Sequence, residues 1–396
     1  MTYSYQQRLA YNFRKQEQFA SDYSPLYTCF FGTVANWLEV EPATPLIQWL
    51  LQASEGRQPF DITLLLAAGL HRDILLKQPK VASLAAFYPS VGGGRPCQDA
   101  DYADALAAAI WAQRDRLEPF IQSATVQTNE TGRGLCWYLP LRFLPWQAVH
   151  LLDLGASAGL NLAADRRAFR LLGDEEMLDL GAGQPLQFVS QTEGNGRFLA
   201  QRQPLPQILS RTGGDIAPFP LETAVDEQTL AAFVWADQRH RLDRLREGIV
   251  AYRELSQTKT PINVLPLDLP NGLGVFLEAQ FSNLDAPLVL YNTFVTAYLP
   301  ERGRELREQL TAWASQQKRP ILWLQWEPPH GNLDAAPKFG WCVWTADCWY
   351  HGNHHQWLLG WVQPHGTQLQ WQQDFAAWGA QLPLCTQSDS KIDGEP

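Results

Sequence analysis

The chain has 396 residues, 45% hydrophobic and 18% charged, which excludes a disordered polypeptide and asks for more than one core. Its formal net charge is −10 with no basic run, so no footprint for gripping nucleic acid is present and a small-molecule partner is expected. No apolar run reaches the ~18 residues of a membrane span, and MTYSYQQRLAYNFRKQEQF lacks the apolar centre of a signal peptide.

The six cysteines (Cys29, Cys97, Cys136, Cys342, Cys348, Cys385) form no CxxC pair and read as reduced thiols of a cytoplasmic protein. Residues 1–125 read as a helical domain that caps an active site, with a capped helix start at Asp61 and an Ala/Leu-rich helix over 99–121. A glycine-rich loop, FYPSVGGG at 87–94, separates them. From 135 to 385 the texture alternates strand and helix, which predicts a doubly wound α/β sheet. Expected strands are Val149–Leu154, 262–267, 288–291 and 321–325; expected helices are 161–172, 222–255 and 302–317. An inserted hairpin is expected near 173–210, and the Trp-rich 341–371 alternates like antiparallel strands.

The short apolar run Val149–Leu154 ends in Asp153-Leu-Gly155-Ala-Ser157-Ala-Gly159, as a buried parallel strand opening into a ligand-binding turn should. Glycines there let the backbone turn tightly and approach a ligand, and ligands of such sheets sit outside the strands' carboxyl ends. Asp153, inside that strand, needs a polar partner if it is buried.

LLDLGASAG resembles motif I of class I S-adenosylmethionine-dependent methyltransferases, which implies a Rossmann-like sheet and S-adenosylmethionine as cofactor. By that resemblance Asp153, Gly155, Ser157, Gly159 and Asn161 cradle the methionine part. Asp215 in GGDIAPFP binds the ribose, Asp268 in LPLDLP neighbours the adenine, and Asn292 in LVLYN faces the substrate. Glu193 is an alternative ribose acid, because 62 residues separate Asp153 from Asp215 where about 20 are usual. More closely, the stretches LHRDIL, FYPSVGG, QTNETGR, DLGASAGLN, GGDIAPFP, VWADQRHRL and VTAYLP resemble, in order, an uncharacterised bacterial domain family of this fold. Methyl transfer to a small acceptor is the implied reaction; a non-catalytic cofactor-binding protein is the alternative.

The same residues spell Gly155-x-Ser157-x-Gly159, the nucleophile elbow of serine hydrolases. Asp334 or Asp347 followed by His351, His354, His355 or His365 supplies the order of a triad, though Asp153 beside the nucleophile argues against it. Asn129, Glu130 and Arg133 form either a lid over the ligand or a solvated turn. His71 is a candidate base or a packing histidine, and Tyr298 lines a pocket or the core. His330 and Glu327 follow the last parallel strand and edge the site. Trp235 is placed on the adenine side, beside a solvated charged helix face, Asp237 to Asp243. The loose His/Cys spacing after 341 gives no metal site.

Overall fold

The computed structural model describes residues 4–40, 44–127, 129–173, 177–181, 188–329, 336–338 and 340–384. It divides into two compact units, Met1–Asn129 with Pro220–Leu245, and Glu130–Phe219 with Arg246–Pro396. The segment 220–245 therefore belongs with the N-terminal helices, not with the α/β region where the sequence reading put it.

The first unit is helical. Its helices include Tyr5–Ala20, Pro25–Val40, Pro59–Leu75 and Tyr102–Ser123. Ser4 opens the first through a capping box with Gln7, and proline at the first turn starts the third, where its missing N–H costs nothing. Phe13, Phe30, Phe31, Leu65, Leu66 and Leu70 are fully buried in the shared core. The expected long helix over 222–255 is instead two helices, Ala224–Ala232 and Arg239–Ser256, with the division between units inside the second. The break has a cause: Trp235 stacks on Tyr27 with centroids 5.1 Å apart, and Asp237 accepts from Ser24 Oγ and the Leu26 amide. Trp235 is thus a packing residue of this unit and Asp237 a helix cap, not part of a solvated face.

Cys29 and Cys97 are joined as a disulfide, their Cα atoms 6.2 Å apart, which corrects the reading of all six cysteines as thiols. Cys136, Cys342 and Cys348 are buried. No helix is long and apolar enough to cross a membrane among the described residues.

The second unit is built on one mixed, mostly parallel sheet. Its strands are β1 (Ala148–Leu154), β2 (Phe169–Leu172), β3 (Met177–Leu180), β4 (Phe188–Glu193), β5 (Gln207–Asp215) and β6 (Ile262–Pro266). They continue with β7 (Leu288–Thr293), β8 (Ile321–Glu327), β9 (Cys342–Tyr350), β10 (Asn353–Val362) and β11 (Gln368–Trp371). The order across the sheet is β3-β2-β4-β11-β10-β9-β8-β7-β1-β5-β6. The run β6-β5-β1-β7-β8 is parallel, and its β1, β7 and β8 are the near-continuous apolar strands that a sheet covered on both faces requires. β9 and β10 form the expected antiparallel pair, and the late tryptophans fill a packed layer: Trp326, Trp344 and Trp378 are fully buried around Phe375.

Two local expectations change. Residues 160–166 form a 3₁₀ segment and 169–172 a strand, where one helix was expected. The cause is tertiary: Arg211 on β5 grips Asp165 at 2.6 and 2.8 Å, and Arg167 is held by Glu247 at 3.1 Å and by the Thr131 carbonyl. The region expected as an inserted hairpin is not a separate excursion. β2 and β3 pair as a hairpin, but β2 also pairs with β4, and β4 joins the main sheet through β11.

Candidate functional site

The turn after β1 lies where the strand order changes direction, between β5 on one side and β7 on the other. Gly155 and Gly159 both have positive φ, 81° and 76°. A Cβ on Gly155 would overlap Val295 Cγ2, and one on Gly159 would come 2.8 and 2.9 Å from Val264 and Ile262. Glycine is thus required twice over at each position, by conformation and by contact. Gly155→Ala is expected to cost about 2–4 kcal/mol, the sum of a left-handed backbone penalty and overpacking, read as a lowered unfolding midpoint.

Three acids stand at the carboxyl ends of neighbouring strands. Asp153 is 3% exposed, and its Oδ2 accepts a hydrogen bond of 2.8 Å from the fully buried Tyr291 hydroxyl on β7. Burial pushes its carboxyl up to about 7, the Tyr291 bond pulls the other way, and nearby Asp215 adds to the rise. Asp215, at the end of β5, accepts from the Ser157 amide at 2.7 Å and the Ala217 amide at 2.9 Å. It locks the turn, and each oxygen keeps a further lone pair. Asp268 follows β6 and is exposed, with Asn271 donating to it at 3.1 Å. Asn161 gives its carbonyl to Trp137 at 2.8 Å, while its Oδ1 is buried with no hydrogen-bond partner among the described residues.

Register decides between the two ribose candidates. β4 runs antiparallel to β1 and lies six strands from it, about 29 Å along the sheet at ~4.8 Å per strand. Glu193 therefore ends at the opposite edge, where Lys338 meets it at 3.3 Å. Asp215 is the acid that neighbours the turn.

Asn292 does not face an open site. It is fully buried on β7, donating to Glu327 at 2.5 Å and accepting from Trp323 Nε1 at 2.5 Å. Glu327, at the end of β8, is also fully buried and accepts from Asn292, from the Val295 amide at 2.8 Å, and from the Thr296 amide and hydroxyl at 3.1 and 2.7 Å. Burial raises its carboxyl despite those donors. Glu327 thus pins the loop that presses Val295 onto Gly155. Tyr291 and this role of Glu327 escaped the sequence reading, whose only signal was a polar residue at each carboxyl strand end.

The 127–133 segment is divided between units. Asn129 belongs to the first, where it lines a cavity of about 140 Å³ with Tyr27, Gln127, Trp235 and Arg241. Glu130 and Arg133 belong to the second and are buried, not a solvated turn. Glu130 Oε2 lies 3.2 Å from His365 Nδ1. Arg133 covers the Phe294 ring at 4.3 Å and donates to the Pro364 carbonyl at 3.0 Å. Phe294 precedes Val295, so these side chains continue from the glycine turn.

Other candidates lie elsewhere. His71 is fully buried in the first unit, bonded to Ser90 Oγ and the Ala232 carbonyl, and burial lowers its pKa to about 4 against the pull of the Ala232 and Val234 carbonyls. Tyr298 is 71% exposed and is not part of the core. His330 and Asp334 lie outside the described residues. Asp347 and His354 do pair at 2.9 Å, but β9 and β10 are three and four strands from β1. Register brings His354 level with His150, at the amino end of β1, so this pair does not serve Ser157. No group of three or more His, Cys, Asp and Glu among the described residues is arranged to hold a metal.

The sequence pattern of a family described as an uncharacterized protein conserved in bacteria (DUF2332) matches residues 10–371. Among curated proteins none matches the chain. The chain belongs to the DUF2332 family.

Proposed function

We propose that this member of DUF2332 binds S-adenosylmethionine at the carboxyl edge of β1, β5 and β6 and transfers its methyl group to a small-molecule acceptor. We read the parallel run β6-β5-β1-β7-β8 as the methyltransferase form of a Rossmann-like sheet. The observation that carries the proposal is the sign of the charge around the turn. Asp153, Asp215 and Asp268 would repel the pyrophosphate of a dinucleotide, yet they suit a ligand bearing an ammonium, a sulfonium and ribose hydroxyls.

The donor set fits that group. Asn161 Oδ1 supplies a buried acceptor for its ammonium, and Asp215 retains lone pairs for the ribose hydroxyls. Asp268 is exposed at the next strand end, where a ligand's base can reach it. When bound, the cofactor supplies an electrophilic methyl group. The chain's own work is to hold the acceptor in line and to exclude water. Arg133 on Phe294 walls the acceptor side. Glu130 lies 3.2 Å from His365 Nδ1, and His365 is the group read as taking the acceptor's proton.

Thermal unfolding with S-adenosylhomocysteine tests the reading. A ligand at about 100 times its Kd adds ~2.7 kcal/mol to stability, a shift of several degrees. Asp268→Asn, at an exposed position, is expected to leave the unliganded midpoint unchanged and to weaken binding about tenfold. His365→Ala is expected to keep the ligand-induced shift, because the histidine serves the acceptor. No shift in the wild-type chain rejects the proposal.

A further inference from the structure

The first unit holds a nucleophile arrangement that methyl transfer does not use. His71, on the Pro59–Leu75 helix, places Nδ1 3.1 Å from the Ala232 carbonyl and Nε2 2.8 Å from Ser90 Oγ. A carbonyl only accepts, so Nδ1 carries the proton and Nε2 accepts from the serine hydroxyl. That is the tautomer a general base for serine requires. Ala232 is the last residue of the Ala224–Ala232 helix, so its carbonyl sits at the negative end of the helix dipole. It orients the ring and pulls toward the imidazolium, against the burial that lowers the His71 pKa to about 4.

Ser90 is held rather than floppy. The loop folds back through Val91 N to Tyr88 O at 3.2 Å, Gly92 N to Pro89 O at 3.1 Å, Gly93 N to Tyr88 O at 3.0 Å and Arg95 N to Ala86 O at 3.0 Å. Gly92 has φ 88°, and a Cβ on Gly93 would come 2.7 Å from the Ala86 carbonyl and the Tyr88 amide, so the glycines are demanded by the turn. Ser90 is partly exposed at this turn, while its base is fully buried.

We propose that Ser90, His71 and the Ala232 carbonyl form an acyl-transfer site for small carboxylic esters, independent of the methyl-transfer reading. Ser90 Oγ attacks the ester carbon and its proton passes to His71 Nε2. The carbon–oxygen bond to the leaving alcohol breaks, and that alcohol takes the proton from His71. Water, deprotonated by the same nitrogen, then attacks the acyl-serine; the acid leaves and Ser90 recovers its proton. Ala232, whose carbonyl holds the ring, also lines a cavity of about 140 Å³ with Tyr27, Leu64, Phe233 and Trp235, while Ser90 and His71 stand outside that lining.

The test is labelling of the full chain with a fluorophosphonate, site mapping by mass spectrometry, and p-nitrophenyl acetate hydrolysis. The label is expected on Ser90, lost in Ser90→Ala together with the hydrolysis, and slowed about a hundredfold or more in His71→Gln. Because His71 is fully buried, the mapped site in the unmodified chain decides the matter even where that variant fails to fold. Label on Ser157 instead, no label in folded protein, or hydrolysis unchanged in Ser90→Ala would each overturn the proposal.

Discussion

Asp153→Asn is expected to stabilise the chain at pH 8 by about 1–3 kcal/mol, to have little effect near pH 4, and to abolish cofactor binding. The sign follows from proton linkage. The folded carboxyl titrates at about 7, raised by burial, whereas in an unfolded chain it titrates near 3.9. Between these values the native state binds the extra proton, so stability is greatest below the unfolded value and falls as pH rises to about 7. Above that it is flat. The full penalty of a three-unit shift is ~4 kcal/mol, and asparagine removes the charge while adding an amide N–H that needs an acceptor. Urea unfolding at the two pH values checks this. Equal changes at both would mean that the Tyr291 hydroxyl already satisfies an ionised Asp153. A buried carboxyl that weakens the fold, at the end of a parallel strand beside a glycine turn, is what a binding site retains for its ligand.

Glu327→Ala is expected to have the largest destabilising effect of any single change in the second unit. The substitution strips the acceptor from the Val295 amide, the Thr296 amide and hydroxyl, and the Asn292 side chain, all inside a fully buried pocket. Unsatisfied buried donors cost about 1–3 kcal/mol each before relaxation, so a net loss of ~3–5 kcal/mol is expected, a fall of ~10 °C in midpoint. The loop after β7 should loosen, releasing Val295 from Gly155 and weakening ligand binding with stability. Calorimetric unfolding reads the first effect. A loss below about 1 kcal/mol would show that the loop is held by its apolar contacts instead.

β1, β6 and β7 were legible because each is a short apolar run closed by glycine, aspartate or asparagine within two residues of its end, and β8 because it is an apolar run ending at Glu327. β1, β6, β7 and β8 lie within a few residues of their expected spans. What sequence could not show was long-range. LNLAADRRAFRLL reads as helix by its Leu and Ala content, but buried arginines 211 and 167 fix it as a 3₁₀ segment and a strand. β4 joins the main sheet only through β11, far along the chain, so nothing local separated Glu193 from Asp215 as a ribose acid. His71 lies in a helix that is apolar nearly all round, a sign of burial that its isolated imidazole obscured. Asn292 followed an apolar strand into the interior because Trp323 and Glu327, distant in sequence, meet its amide there. Cys29 and Cys97 are brought together across 68 residues with no spacing signal to announce them.

The central claim is that the acid-lined turn after β1 holds S-adenosylmethionine. Calorimetric titration of the unmodified chain and of Asp153→Asn with S-adenosylmethionine tests it most directly. A saturable one-to-one isotherm in the micromolar range is expected for the unmodified chain, and none for the variant, although that variant is the more stable at pH 8. A well-folded unmodified chain that gives no binding heat at any temperature tested, or a variant that binds as tightly, would contradict it.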